Sequence, residues 1–352
     1  MVKKLVVALV MATLIMNVVG CTQSASPATQ SASPATQSAS PATQSASPAT
    51  QSDVVAISLG WQENESGQRF AQGFIAGCTE LGWKYVLSNA NYDPKLQSDQ
   101  IDAFIKMHPK ALFITASDPI GITAAVQRAI DAGIPVFLAD SYIAGVKAVT
   151  SIASNNFGMG MYTMKYIAKA IGGKGKVGMI NLPNNETWDL RTLGALVALK
   201  DYPDIQVVSW AYDPTGAVTP RQGVENMLTA NPDIKAVWCS WDGAAMEGAL
   251  AAQAHGMNNV IFTGIDGGPR AFEQIQAGGP FKLTCAQSFY WMAYMDVMYA
   301  KDYLEGKKVP RFVVSPVYAV TKEVLDAVPA SLKATDYDMP GMDVKLNWTP
   351  VL

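Results

Sequence analysis

Short apolar segments alternate with longer amphipathic segments from Asp53 onwards, and this alternation restricts the fold more than any other feature of the chain. The apolar segments are rich in β-branched residues and have the length of strands. Because they are apolar almost throughout, they indicate strands buried on both faces, as in parallel sheets. The predicted strands are Val54–Leu59, Tyr85–Ser88, Ala111–Ala116, Val136–Ala139, Val149–Ala153, Lys176–Asn181, Gln206–Ala211, Ala236–Ser240, Val260–Ile265 and Lys282–Ala286.

The segments between these strands predict helices. In Gln68–Leu81, apolar residues recur every three or four positions and form one apolar face. Further helices are predicted at Leu96–Met107, Gly121–Ala132, Met159–Ile171, Arg221–Ala230, Ala244–His255 and Pro269–Gln276. The alternation predicts an α/β fold. Because a second series starts after Asn156, two doubly wound parallel-sheet lobes are favoured over one barrel. After Thr321 the alternation breaks and the strand pattern is weak.

The N-terminal segment follows a different pattern. Two lysines precede an apolar run, Leu5–Val19, and a small residue precedes Cys21. This order is typical of an export signal, and the run is shorter than the roughly 20 residues of a spanning helix. An uncleaved anchor and a chance cysteine are the alternatives. The sequence Val18-Val19-Gly20-Cys21 resembles the lipobox of bacterial lipoproteins, which implies a signal peptide at residues 1–20 and lipidation of Cys21.

A repeated unit follows the cysteine. Ser-Ala-Ser-Pro-Ala-Thr-Gln occurs four times without change from Ser24 to Gln51. Small residues, proline and the lack of charge leave too little apolar surface to offset the entropy of ordering the backbone. Residues 21–52 are therefore predicted to be a disordered tether, whose repeats would have a mean reach of about 30 Å.

Composition limits the class of protein. The part after the tether is long enough for about two domains, and the 49% hydrophobic fraction fits a filled globular core. The net charge of −3 and the lack of a basic run argue against nucleic acid as a partner. Cys78, Cys239 and Cys285 lie in apolar stretches and are expected to be core residues. With only His108 and His255 present, neither a metal nor another cofactor is expected.

Open α/β sheets bind ligands outside the carboxyl ends of their strands, so the residues that follow the strands are candidates for a binding site. Aromatic, carboxylate and amide side chains recur at these positions. Such a set suits a sugar, because aromatic rings cover its apolar faces while carboxylates and amides bind its hydroxyls. The candidates are Trp61, Asp140, Tyr142, Trp188, Arg191, Trp241, Asp266 and Gln287.

Other interpretations of single residues stay open. A tryptophan at a strand end often covers a core, and an aspartate there often caps the next helix, which is the favoured interpretation of Asp242 and Asp118. Asp140 and Asp266 could also be the paired acids of a glycosidase. No Ser-His-Asp order, GxSxG or HExxH motif stands out. An aromatic, acidic pocket could instead hold a quaternary amine through cation–π contacts.

Several short segments between Val54 and Val320 form a recognisable set. They are Leu81-Gly82-Trp83, Ala132-Gly133-Ile134-Pro135-Val136, Ile152-Ala153-Ser154-Asn155-Asn156, Met227-Leu228-Thr229-Ala230-Asn231-Pro232-Asp233, Gly248-Ala249-Leu250, Gly264-Ile265-Asp266-Gly267 and Cys285-Ala286-Gln287. Together they resemble the type I periplasmic binding proteins of the ribose and galactose group, which are the solute receptors of bacterial ABC importers.

The resemblance implies two similar lobes that close on a sugar. They would be joined by three crossovers, near Ser154–Asn156, Gln287–Ser288 and Pro316–Val317. The N-terminal lobe would comprise residues 53–154 plus 288–316. The C-terminal lobe and tail would comprise residues 155–287 plus 317–352.

The resemblance also implies roles for single residues. Asp140 and Asp266 match the two acids of the family, and Gln287 matches its glutamine. Arg191 is the candidate for the arginine of the second lobe, with Asp189 as the competing position.

Two departures from the family pattern concern the ligand. Ser141 stands where arginine often follows the first acid, and Trp241 stands where asparagine is frequent. They favour a hexose, a deoxy sugar or a polyol over ribose. The resemblance thus implies a monomeric, lipid-anchored receptor in the cell envelope, at the outer face of the cytoplasmic membrane or in the periplasm, which passes a sugar to an ABC permease and is not an enzyme. A receptor for a membrane sensor and a secreted glycosidase are the alternatives.

Overall fold

The computed structural model describes residues 52–183, 185–213 and 216–352. The predicted signal peptide, Cys21 and the repeats lie outside these ranges. The described chain contains two six-stranded sheets. In spatial order, the first consists of β11 (Phe312–Ser315), β5 (Thr150–Ser154), β4 (Val136–Ala139), β3 (Ala111–Thr115), β1 (Val54–Leu59) and β2 (Lys84–Asn89). The second consists of β12 (Val317–Thr321), β10 (Phe281–Gln287), β9 (Ile261–Asp266), β8 (Ile234–Cys239), β6 (Lys174–Asn181) and β7 (Asp204–Ala211).

Neighbouring strands are parallel except for the pair β10 and β12. The first sheet is covered by α1 (Glu65–Glu80), α2 (Pro94–Met107), α3 (Pro119–Asp131) and α9 (Phe289–Leu304). The second is covered by α4 (Asn156–Ala170), α5 (Glu186–Leu199), α6 (Pro220–Ala230), α7 (Asp242–Ala254) and α8 (Pro269–Gln276). Two short helices, α10 (Lys322–Asp326) and α11 (Met342–Leu346), follow in the tail. The prediction of two doubly wound α/β lobes is confirmed.

The chain passes between the sheets three times. Strand β5 leads through Asn155 into α4, which packs in the second lobe. Strand β10 leads through Ser288 into α9, which packs against α1 in the first lobe. Pro316 separates β11 from β12. These are the places where the resemblance implied crossovers.

Capping explains where some helices begin. The Asp118 side chain accepts a hydrogen bond from the Gly121 N–H at the start of α3, which confirms its predicted role. Asp242 makes no such bond in α7. Its carboxylate instead accepts from Gly267 and Thr284, so the capping interpretation of Asp242 is wrong. The Asp242 carboxylate is buried beside the Thr284 hydroxyl on β10 and the Gly267 N–H just after β9, and it bonds to these donors rather than to the N–H groups of its own helix.

The sequence pattern does not predict α5, α9, β11 and β12. Leu193 and Leu196 of α5 are exposed while the charged Arg191 lies on its buried face, and α9 carries aromatic residues and methionines around most of its surface. Neither helix therefore shows a clear apolar stripe. Strands β11 and β12 are short and surround a proline, which obscures their pattern.

The three described cysteines are buried and free, which confirms that they are core residues. In the part of the chain that the structure describes, no helix has both the length and the apolar character needed to cross a membrane.

Candidate functional site

A cavity lies between the lobes, near the carboxyl ends of the parallel strands. Its volume is about 530 Å³ including its opening to solvent. The lining residues are Trp61, Asn64, Ser66, Tyr92, Ala116, Ser117, Asp140, Asn185, Thr187, Trp188, Arg191, Asp266, Gln287 and Phe289.

The structure brings most of the predicted site residues together here. Those that line the cavity are Trp61, Asp140, Trp188, Arg191, Asp266 and Gln287. Tyr142 and Trp241 are not among the lining residues. Tyr142 packs its ring against Phe312, with 5.6 Å between ring centroids. Trp241 packs against Tyr212 in the second lobe, at 5.3 Å.

Arg191 is buried and donates hydrogen bonds to several groups on the second-lobe side of the cavity. Its Nε donates to Asn156 Oδ1 at 2.9 Å, and its Nη1 donates to the Ser240 carbonyl oxygen at 2.8 Å. Its Nη2 donates to Asp266 Oδ1 at 2.9 Å. All three guanidinium nitrogens thus have protein acceptors, and charge-assisted bonds of this kind fix the side chain firmly.

Two glycines let α4 and α5 approach closely enough to place Arg191. A Cβ atom at Gly160 would clash with the Arg191 carbonyl oxygen, and one at Gly194 would clash with the Phe157 carbonyl oxygen. The packing of these two helices therefore sets the depth at which the guanidinium lies.

Asp266 ends β9 and occupies a strained backbone conformation, with φ at 130°. Its Oδ1 accepts from Arg191 and from Gln287 Nε2, the latter at 2.9 Å. Burial raises the pKa of this carboxyl, while Arg191 and Gln287 act in the opposite direction. Asp266 is thus an acceptor held in place by two donors.

Asp242 supports the turn that carries Asp266. Its Oδ2 accepts from the Gly267 N–H at 2.8 Å and from Thr284 Oγ1 at 3.0 Å. Burial raises the pKa of Asp242 to about 8, and the nearby Asp266 carboxylate raises it as well. Asp242 therefore links β9 and β10 beneath the cavity.

Asp140 directly follows β4 on the opposite side of the cavity, in the left-handed region with φ at 60°. Only 6% of the residue is exposed, and its Oδ1 finds no hydrogen-bond partner among the described residues. The next hydroxyl along the chain, that of Ser141, bonds to the Ala116 N–H instead. Burial raises the pKa of Asp140 to about 7, with Arg191 opposing and Asp266 adding to this rise.

Aromatic rings line the cavity from both lobes. The rings of Trp61 and Tyr92 stack with 6.2 Å between centroids, and Asn64 Nδ2 donates to the Tyr92 hydroxyl at 3.2 Å. Trp188 lies in the first turn of α5 and Phe289 begins α9. Such rings can cover the apolar faces of a small cyclic ligand.

A hydrogen bond crosses the cavity mouth. Asn185 Nδ2 donates to the Ser117 carbonyl oxygen at 2.8 Å, while Asn185 Oδ1 accepts from the Thr187 N–H at the start of α5. Asn185 follows a strand of the second sheet and Ser117 follows a strand of the first. The bond therefore joins the two lobes beside the site.

The C-terminal tail also reaches the site. The buried Tyr337 hydroxyl donates to the Gln287 carbonyl oxygen at 2.6 Å. Asp338 Oδ2 accepts from Arg69 Nε of α1 at 3.0 Å and from the Tyr290 N–H of α9 at 2.9 Å. Consecutive tail residues thus bind a site strand of the second lobe and two helices of the first.

Some lining residues that were not among the candidates also follow strand ends, where ligand-binding residues are expected. Tyr92 and Ser117 follow β2 and β3, so reading every strand end would have found them. Tyr337 and Asp338 belong to an irregular segment, and no sequence pattern connects them with the site.

The described ranges contain no group of three or more histidine, cysteine or carboxylate side chains placed to hold a metal ion. The polar groups around the cavity are hydrogen-bonding groups flanked by aromatic rings. This arrangement can bind a small polyhydroxylated molecule.

Comparison with known proteins agrees with this geometry. Residues 55–308 match a family model described as a periplasmic binding protein domain. The D-apiose import binding protein of Actinobacillus succinogenes is 27% identical over 254 residues, which cover 71% of this chain and 82% of that protein. The ribose import binding protein of Bacillus subtilis is 26% identical over 271 residues, which cover 76% of this chain and 87% of that protein.

Solved structures show the same fold. A periplasmic solute binding protein of Actinobacillus succinogenes with bound D-allose has a TM-score of 0.72 and 25% identity, covering 77% of this chain and 98% of that chain. A solute binding protein of Agrobacterium vitis with bound alpha-D-tagatopyranose has a TM-score of 0.72 at 21% identity, covering 85% of this chain and 100% of that one. With the family model spanning most of its length, the chain belongs to the periplasmic binding protein family.

Proposed function

We propose that this chain is the extracytoplasmic solute receptor of an ABC importer and captures a small sugar or polyol between its two lobes. The observation that carries the proposal is the cavity between the sheets, where Asp140, Asp266 and Gln287 lie beside aromatic rings. The named relatives, which import apiose and ribose, support the same class of ligand.

In this proposal Asp140, Asp266 and Gln287 bind ligand hydroxyls, and Trp61 and Trp188 cover its ring faces. Arg191 orients the Asp266 carboxylate through a hydrogen bond. Ligand entry would be followed by closure of the lobes, residues 53–154 plus 288–316 against residues 155–287 plus 317–352. We assign no reaction to the site, so a bound ligand should be recovered unchanged after incubation.

The proposal extends to the cell envelope. Cleavage before Cys21, lipidation of that cysteine and a tether at residues 21–52 would hold a monomeric receptor near its permease. Mass spectrometry of the mature protein tests this part. An unmodified N-terminus at another residue would refute it.

Binding is tested by a thermal-shift screen of sugars and polyols followed by calorimetry. A ligand at 100 times its dissociation constant should stabilise the protein by about 2.7 kcal/mol. Asp266→Ala should weaken binding by about 2–5 kcal/mol, because polar partners are left unpaired. Asp102→Ala, in an exposed pair with Arg128, is the matched control and should bind as the wild type does. Failure of every sugar and polyol to bind would refute the proposal.

A further inference from the structure

We propose that the natural ligand carries a positively charged amino group, as an amino sugar does, and that Asp140 binds this group. The inference rests on the proposed function, since it specifies the class of sugar that the same cavity takes. It comes from the hydrogen-bonding groups that the protein leaves unused.

Three buried side-chain oxygens line the cavity without partners among the described residues. Two of them can only accept, Asp140 Oδ1 and Gln287 Oε1, and the third is the Ser117 hydroxyl, which can donate or accept. Gln287 is fully buried and Asp140 nearly so. A buried acceptor without a donor costs free energy, so a ligand that donates to both would recover that cost.

Several donors of the lining side chains, in contrast, are directed at protein oxygens. Each nitrogen of Arg191 donates to a protein oxygen. The amide nitrogens of Gln287, Asn185 and Asn64 each donate one hydrogen bond, to Asp266, Ser117 and Tyr92 respectively. The unpartnered oxygens of Asp140 and Gln287 are acceptors. An ammonium group fits such a set, because it has three donors and no acceptor.

Charge leads to the same conclusion. Among the described lining residues, the carboxyls of Asp140 and Asp266 face a single guanidinium, and Arg191 is hydrogen-bonded to Asp266. Ser141 supplies no cation next to Asp140, and its hydroxyl is used by Ala116. A bound ammonium group would compensate Asp140 and counteract the effect of burial, which raises the pKa of this carboxyl to about 7.

The aromatic rings allow a second type of cation, a quaternary amine. A quaternary amine has no N–H group and would leave Asp140 Oδ1 unsatisfied. A primary amine on a ring with apolar faces meets both requirements, because the ring lies against Trp61 or Trp188 while the ammonium group donates to the carboxylate.

Calorimetry on the full chain tests the inference with matched sugars. The panel contains aminodeoxy hexoses and pentoses with the amine at each ring position, their neutral parents and their N-acetyl forms. At least one amino sugar should bind about tenfold more tightly than its parent, because hydrogen bonds to charged groups are stronger than those between neutral groups. The N-acetyl form, which lacks the charge, should lose this advantage.

The variant Asp140→Asn tests which residue causes the preference. The ratio of the two affinities, amino sugar over parent, should fall to about one, whereas Asp118→Asn at the cap of α3 should keep the wild-type ratio. If neutral parents bind as tightly as every amino sugar, the inference is overturned and the proposed function stands. If no sugar of any kind binds, both are overturned.

Discussion

The carboxyl groups of the two lobes differ in how many hydrogen bonds the protein itself gives them. In the second lobe, Asp242 Oδ2 and Asp266 Oδ1 each accept two hydrogen bonds from neighbouring groups, while Asp242 Oδ1 is buried without a partner among the described residues. In the first lobe, Asp140 and Asp296 each have an Oδ1 atom without a partner among the described residues, although they are only 6% and 2% exposed.

The difference separates two uses of a buried acid. The carboxylates of Asp242 and Asp266 accept hydrogen bonds from the protein itself, so they are held in place before any ligand binds. Asp140 borders the cavity and so remains available to a ligand. Asp296 lies on α9 within the protein and away from the cavity, where it contributes a cost that no ligand can remove.

The largest effect should come from removing Arg191, which donates hydrogen bonds to three residues of the second lobe. Arg191→Met should lower the free energy of unfolding by about 3–5 kcal/mol, because the Asn156 side chain, the Ser240 carbonyl oxygen and the Asp266 carboxylate, which is only 20% exposed, all lose a charged donor. Chemical denaturation measures this loss. Arg128→Met removes a half-exposed pair with Asp102 and should cost less than about 1 kcal/mol. If Arg191→Met and Arg128→Met lose equal stability, the hydrogen bonds of Arg191 do not stabilise the second lobe more than an exposed ion pair does.

Alanine at two buried aspartates, Asp242 of the second lobe and Asp296 of the first, should have opposite effects. Asp242→Ala leaves the Gly267 N–H and the Thr284 hydroxyl without their acceptor and should cost about 3 kcal/mol. Asp296→Ala removes an unpaired group from a helix and should stabilise by about 1 kcal/mol at pH 8. Chemical denaturation of both variants at pH 8 measures these changes in the free energy of unfolding. If both variants are less stable than the wild type, the proposed difference between Asp242 and Asp296 is wrong.

The gain at Asp296 should depend on pH. Burial raises the pKa of Asp296 well above 3.8 in the folded protein, so the folded state keeps a proton that the unfolded state releases. The contribution of Asp296 to wild-type stability therefore falls as pH rises above about 4, and this contribution is absent in Asp296→Ala. The difference in stability between variant and wild type should shrink towards pH 4 and grow towards pH 8. A difference that is constant over this range would show that Asp296 does not titrate as proposed.

Tyr337→Phe should give a moderate effect. It removes the hydroxyl that donates to the Gln287 carbonyl oxygen and should cost about 1–1.5 kcal/mol of stability. Ligand affinity should fall with it, because Gln287 lines the cavity. Tyr303→Phe, at an exposed position on α9, is the matched control. Unchanged affinity in Tyr337→Phe would mean that the tail does not support the site.

The smallest effect should come from the bond between the lobes. Asn185→Ala removes both the cap of α5 and the donor to Ser117, and should cost about 1 kcal/mol. Asp118→Ala removes only a cap, so it should cost a similar amount without changing closure. Small-angle scattering with ligand should show a more open average shape for Asn185→Ala alone.

The sequence alone predicts the parts of the fold that arise from a repeated pattern of strands and helices. The alternation of strands and helices determines the two sheets, and the rule that ligands lie beyond strand ends finds Trp61, Asp140 and Asp266. It cannot separate Trp188, which lines the cavity, from Trp241, which packs on Tyr212. Both follow a strand, and only the three-dimensional packing of the next helix decides where each ring lies.

Other features depend on contacts between distant residues. Asp242 looks like a cap because it precedes a helix, yet its partners lie on two later segments of the chain. The partners of Arg191 come from three separate elements. No local pattern records such contacts, because they are determined by how the finished sheets and helices pack.

The contact between the tail and α1 has a consequence for biosynthesis. Asp338 binds Arg69, which precedes it by 269 residues. A polypeptide leaves the ribosome or an export channel with its N-terminus first, so both sheets can form before this partner is released. Formation of the complete receptor thus awaits the synthesis of Tyr337 and Asp338, and a copy that terminates before them would lack their contacts with Gln287, Arg69 and Tyr290.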